Sequence, residues 1–198
     1  AFQEQNSNAG RTDIYRWLYF KTASRTQNYF MIVNRRCAPY LNDSTNNDNN
    51  GGRRFVKVKL DSGSAAFLGF NNWSIYDVVN DSLIQTFDKN TKSDINLGWY
   101  MPGEGKLYKL APVMQEGGTL VADEDCGGFE FECKGEVNNN GYDVSIKPQT
   151  TILFANSSAR INMNGGSFYS GSSSESIPIY LKAKSSGTWR GLKLNNCE

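Results

Sequence analysis

Histidine is absent from the chain. Without an imidazole there is no Ser-His-Asp or Cys-His nucleophile, no histidine general base and no histidine-ligated metal. An excess of either charge is also lacking, since 21 Lys and Arg stand against 20 Asp and Glu for a net charge of +1. Such a balance gives no broad basic field, so no nucleic-acid partner and no anionic membrane is expected. No apolar run reaches the roughly 18 residues that a spanning helix needs, so no transmembrane segment is expected. The first ten residues, AFQEQNSNAG, lack the charged and apolar regions of a signal peptide and read as a mature or excised end.

What the chain has in quantity is turn formers: 22 Asn, 19 Ser and 19 Gly in 198 residues. These residues suit many short strands better than helices. Ile14 to Phe20 is aromatic and β-branched, and Tyr29 to Val33 is a short apolar run. Leu41 to Gly52, LNDSTNNDNNGG, reads as a long polar excursion. Phe55-Val-Lys-Val-Lys-Leu60 alternates, which puts one face in a core and the Lys57/Lys59 face in water. Further strands are expected at Ala65–Phe70, Trp73–Val79, Leu83–Phe87, Ile95–Tyr100 and Lys106–Leu110, with a turn at Met101-Pro-Gly-Glu-Gly105. This pattern predicts an antiparallel β-sandwich over residues 1–115.

From residue 116 to 198 large aromatics thin out and short strands recur between Gly and Asn. Apolar pairs Val144/Ile146, Ile161/Met163, Ile177/Ile179 and Leu192/Leu194 are spaced by 17, 16 and 15 residues. Near-constant spacing predicts stacked coils, each unable to bury its own face. The fold class expected is therefore all-β: an antiparallel sandwich followed by a short parallel β-helix. The last strand runs almost to Glu198. A parallel stack with an uncapped end exposes apolar core and free backbone, which would be covered by a continuing chain or by self-association with another subunit.

The four cysteines, Cys37, Cys126, Cys133 and Cys197, are even in number and form no CxxC. They argue for disulfides and an extracellular or cell-surface location. Three connectivities are open. Cys126 and Cys133 can close a small loop, which leaves Cys37 for Cys197. The alternative is four free buried thiols. Four Asn-x-Ser sequons stand at Asn42, Asn72, Asn80 and Asn156.

Asp123, Glu124 and Asp125 form a tight acidic run that offers oxygen ligands to Ca²⁺, the one cofactor considered. The run lacks the spacing of a Ca²⁺ loop, and its alternative is a solvated loop at the domain junction. Glu104 sits in the Pro-Gly-Glu-Gly turn without an identifiable partner carboxylate, so glycoside cleavage has no readable pair and no catalytic residue is assigned. Trp17, Tyr19, Trp73 and Trp99 are candidate sugar-stacking rings, because C–H groups of a sugar pack on a π-surface. Core packing is the alternative for each. Arg35-Arg36 and Arg53-Arg54 flank the Asn-rich stretch and read as edge charges that discourage strand pairing.

Two stretches resemble known modules. Ile146-Lys-Pro-Gln-Thr-Thr-Ile-Leu-Phe154, Ile161-Asn-Met-Asn-Gly-Gly-Ser167, Ile177-Pro-Ile179 and Gly187-Thr-Trp-Arg-Gly-Leu192 follow one another as in the opening coils of right-handed parallel β-helices of secreted bacterial, pectate-lyase-like proteins and adhesins. Tyr29-Phe-Met-Ile-Val-Asn-Arg35, Phe55–Leu60, Tyr76-Asp-Val78 and Pro102-Gly-Glu-Gly-Lys-Leu107 resemble accessory β-sandwich domains of bacterial glycoside hydrolases. The resemblance implies a secreted bacterial surface protein, and it carries no catalytic residue onto this chain. Three functions follow as expectations: a non-catalytic structural or surface module, a carbohydrate-binding accessory module with a polysaccharide partner, and a truncated polysaccharide-degrading enzyme.

Overall fold

A computed structural model describes residues 15–21, 28–34, 53–59, 67, 69–91, 94–170, 178–185 and 189–197. The chain is all-β, an antiparallel β-sandwich followed by parallel coils. It divides into two compact units. The first comprises Ala1–Asp61, Ile75–Gln85 and Lys92–Leu110, and the second Ser62–Ser74, Thr86–Thr91 and Ala111–Glu198.

The antiparallel strands are β1 (Tyr15–Lys21), β2 (Asn28–Asn34), β3 (Arg54–Val58), β4 (Asn72–Asp77), β5 (Ser82–Asp88), β6 (Ile95–Tyr100) and β7 (Gly105–Pro112). One sheet has the order β1-β2-β7-β4-β5, and β3 pairs with β6 in a second. The unit boundary falls within β4, β5 and β7. Period-two alternation sorts side chains to the two faces. In β2 this buries Asn28, Phe30, Ile32 and Asn34, and in β3 it buries Val56 and Val58. The Phe30 and Tyr108 rings stack at 5.2 Å. The hydroxyls of Tyr100 and Tyr108 hydrogen-bond inside this core. Burial pushes the Tyr108 phenol up to about 12 and Tyr100 higher still, so both remain neutral donors and acceptors. Asn34 closes the edge by donating to the carbonyls of Tyr100 and Met101 at 3.3 and 3.1 Å.

The expected strand at Ala65–Phe70 is not seen where it is described. Phe67 lies in a 3₁₀ turn and Gly69 in a turn. Gly69 has φ +83°, and a β-carbon there would overlap the Phe129 ring. Among the described residues there is one short helix, α1 (Val113–Glu116), which ends at Gly117 with φ +92°.

The second unit carries the parallel coils. Their strands are β8 (Gly118–Thr119), β9 (Glu124–Gly127), β10 (Glu130–Cys133), β11 (Glu136–Asn138), β12 (Val144–Lys147), β13 (Thr151–Phe154), β14 (Arg160–Asn164), β15 (Phe168–Ser170), β16 (Tyr180–Ala183) and β17 (Gly191–Asn195). They form three parallel sheets, ordered β17-β14-β11-β8, β15-β12-β9 and β10-β13-β16. Three successive strands therefore make one coil, one strand per sheet. Like positions stack: Val137 on Ile161 and Ile161 on Leu192, Cys126 on Ile146, Phe131 on Ile152, and Cys133 on Phe154. The repeat in the sequence was a different quantity. Ile161 follows its stacked partner Val137 by 24 residues and precedes Leu192 by 31. The spacing of 17 from Val144 to Ile161 links β12 to β14, strands of different sheets, so it counts strands and corners and not coils, and Ile177 lies outside the described residues.

Inside the coils Val137, Val144, Ile146, Ile152, Phe154, Ile161 and Met163 are buried. Each such side chain contributes about 1.5–3 kcal/mol relative to an exposed one. Trp189 stacks flat on Phe154 at 4.9 Å. Polar side chains bind the coils to one another. Asn139, fully buried, donates to the carbonyls of Tyr142 and Gly165 at 2.8 and 2.7 Å and accepts from the amide of Asn164 at 2.7 Å. Thr150 accepts from the amide of Gly128 at 2.7 Å and donates to the carbonyl of Lys147 at 2.6 Å. The corner at Gly127 has φ +107°, and a β-carbon there would overlap the Thr150 hydroxyl.

Candidate functional site

The outer face of the β3–β6 pair is the most open aromatic surface among the described residues of the first unit. Phe55 lies opposite Trp99 in the ladder, Val56 opposite Gly98, Lys57 opposite Asn96 and Val58 opposite Ile95. The register shifts between Val56 and Lys57, which leaves Leu97 as the extra residue of a bulge. Gly98 takes φ +85° there, a conformation that glycine adopts at little cost. The bulge inverts the alternation of β6. Ile95 and Leu97 face the core, and strict alternation would send Trp99 after them. Instead Trp99 is 50% exposed and Tyr100 is buried. The Phe55 and Trp99 rings meet edge to face at 5.4 Å, which fixes the indole against the sheet. Sequence reading singled out Trp99 but missed Phe55 beside it. The signal was present in the alternation that put Phe55 on the Lys57/Lys59 face.

The other candidate aromatics are placed elsewhere. Trp17 and Tyr19 belong to β1, opposite Ile32 and Phe30 of β2, and their side chains lie outside the described residues. Trp73 is 2% exposed and packs against Phe67 and Phe70 at 5.1 and 6.3 Å, while its indole N–H donates to the carbonyl of Phe70. Its place is the core of the second unit.

The acidic run is a strand approach and a strand, not a solvated loop. Asp123 accepts from the amide of Asp143, and Asp143 in turn accepts from the amide of Ser167, so the same corner is tied coil after coil. Asp125 pairs with Lys147 of the next coil at 3.1 Å. Glu124 is 1% exposed. Its oxygens accept from the amides of Asn71 and Asn72 at 2.7 and 3.0 Å and from the Asn72 side chain at 3.0 Å. Asn72 completes the clamp by accepting from the amides of Val121 and Ala122 and donating to the carbonyl of Ala122. Burial raises the Glu124 carboxyl above its ordinary range, and the Asn71 and Asn72 donors pull it partly back. The three acids thus point to three different partners, and among the described residues no group of three or more acidic or cysteine side chains converges for a metal.

The expected disulfides are corrected. Cys126, Cys133 and Cys197 are free thiols, and Cys37 lies outside the described residues. Cys126 and Cys133 sit in different sheets of the coil, each stacked on an apolar residue of the next coil. Burial pushes the Cys133 thiol up to about 12 and Cys126 well above its usual value, so both behave as small apolar fillers. Cys197 is half-buried, 3.1 Å from the carbonyl of Asn195.

Glu104 serves its turn. It accepts from the amide of Met101 at 2.6 Å and lies 3.5 Å from Lys106. Arg35 and Arg36 lie outside the described residues, whereas Arg53 is exposed just before β3. Of the sequons, Asn72 is buried in the clamp, Asn80 bonds Asp77 in an exposed turn and Asn156 caps an exposed one. No described helix is long and apolar enough to cross a membrane.

No protein-family model and no curated protein matches the chain. Among solved structures, a Bacillus halodurans protein described as an α-N-acetylgalactosaminidase aligns at 14% identity with a TM-score of 0.34. The alignment covers 52% of this chain and 19% of that one.

Proposed function

We propose that the chain is a non-catalytic structural and surface module of a larger secreted bacterial protein, or a self-assembling subunit of one, working outside the cell. The observation that carries this reading is the use made of polar side chains in the coils. Glu124, Asn139 and Thr150, all buried, are spent on backbone groups that hold the unit together. Surface charges do the same across coils, as Glu136 to Arg160 at 2.7 Å and Glu132 to Lys184 at 2.8 Å. Among the described residues strands β15, β16 and β17 each stand last in their sheets, and such a parallel edge is a template for a further coil or a second copy. The test is a turnover screen of the purified chain on neutral and acidic polysaccharides with and without Ca²⁺, together with antibody labelling of intact producing cells. Labelled cells and no new reducing ends are expected; sustained release of reducing ends overturns the reading.

A second reading, a carbohydrate-binding accessory module, is favoured by one specific observation: the bulge that turns Trp99 out of the core. Loss of glycan retention in Trp99→Ala supports it, and retention of no glycan removes it.

A further inference from the structure

We propose that the outer face of the β3–β6 pair binds an acidic polysaccharide, the Phe55–Trp99 corner packing on a sugar ring and the neighbouring cations holding its carboxylate or sulfate groups. This rests on the carbohydrate-binding reading above and names its ligand class and its site.

Three features of the face converge. The first is the indole itself. A ring held half in water by a bulge, when strict alternation would bury it, offers a flat apolar surface that C–H groups of a pyranose can cover. The second is charge. Val56 and Val58 are buried, so the alternation of β3 sends Phe55 and Lys57 outward, with Lys59 one step beyond the strand on the same side. Successive outward positions are about 7 Å apart, so Phe55, Lys57 and Lys59 spread over about 13 Å, the reach of a short glycan and not of a single small anion. The third is hydroxyl recognition. Asn96 is exposed directly opposite Lys57 and brings an amide that both donates and accepts. Exposed Asp94 precedes β6 at the Lys59 end and, among the described residues, bounds the cationic strip there. A cationic strip with stacking rings also suits single-stranded nucleic acid. The chain's net charge of +1 supplies no long-range field for a polyanion of that density, so a glycan with spaced charges is favoured.

The test uses the purified full chain on an array of uronate-bearing, sulfate-bearing and neutral glycans, with oligo-dT and anionic phospholipid vesicles as parallel probes. The best-retained glycan is then titrated calorimetrically at low and at physiological salt against wild type, Trp99→Ala and the double variant Lys57→Ala/Lys59→Ala. All three are first compared by melting temperature, because these positions lie on the surface. The expected result is selective retention of acidic glycans, weakened by added salt. Trp99→Ala is expected to weaken binding by about tenfold or more. The double lysine variant is expected to weaken it and to flatten the salt dependence. Retention of neutral glycans alone overturns the acidic class while leaving the carbohydrate reading in place. Retention of no glycan overturns both. Equal binding of oligo-dT or of vesicles, or acidic-glycan binding untouched by Trp99→Ala, overturns the site.

Discussion

The antiparallel and the parallel parts of this chain solve the same problem differently. A strand of the antiparallel unit buries one face and leaves the other to water, as β3 does with Val56 and Val58 inward and Lys57 outward. The coils close on themselves. Their inward residues stack on equivalent positions of the next coil, and their corners are tied by buried polar groups such as Asn139 and Thr150. The consequence is functional. In the coils buried polar residues such as Asn139 and Thr150 are committed to architecture, whereas the β3–β6 face presents Trp99 and Asn96 to water.

That contrast can be broken at its strong end first. Phe154→Ala removes a buried ring that stacks on Trp189 and is expected to destabilise the second unit by about 3–5 kcal/mol, read by chemical denaturation. A loss no larger than that of a surface substitution would show that the coils are not packed as described. Glu124→Ala comes next. It orphans the amides of Asn71 and Asn72, at a cost of about 2–4 kcal/mol.

Glu124 also gives a pH test. Its folded pKa is raised above the ordinary 4.5, so the folded state holds the proton more tightly than the unfolded state. Its contribution to stability is full below the unfolded value and is lost as pH rises through the folded one. Melting temperature against pH should therefore lose a descending component above about 4.5 in Glu124→Ala relative to wild type. An identical pH profile for the two proteins would remove Glu124 as its source.

Thiol chemistry sharpens the same picture. Cys126 and Cys133 should resist alkylation in the native protein and react once it is unfolded, with no reductant needed. Recovery of a linked Cys126–Cys133 peptide would restore the disulfide that the structure replaces with free thiols. The smallest effect is expected outside: Glu132→Ala breaks an exposed ion pair with Lys184 and should change stability by less than about 1 kcal/mol.

How far the sequence could be read follows from the same comparison. Alternation in Phe55–Leu60 announced its strand and its wet face because each residue reports directly on burial. The Ile95–Tyr100 and Thr151–Phe154 strands were likewise legible from β-branched and aromatic residues between turn formers. β9 and β11 were not. Glu124-Asp-Cys-Gly127 has almost no β propensity, and its strand exists because Val144–Lys147 lies alongside and Glu124 has donors waiting at Asn71 and Asn72, 53 and 52 residues away. Such distant partners leave no local mark. The coil period was hidden because corners vary in length, so only the shorter strand-to-strand interval looked regular. At the candidate site Trp99 was legible as an aromatic. Its exposure was not, since a single bulge at Gly98 decides it.

The most direct test of the account compares the melting temperatures of Asn139→Ala and Trp99→Ala with wild type. Asn139 binds three backbone groups across a coil, so its loss should lower the melting temperature by several degrees, about 2–4 °C for each kcal/mol in a chain of this size. Trp99→Ala should leave it within a degree or two, because the indole stands half in water. An unshifted Asn139→Ala, or a Trp99→Ala that melts as early, would contradict the division between a coil stack that uses its polar groups for structure and a sheet face that leaves its aromatic corner half in water.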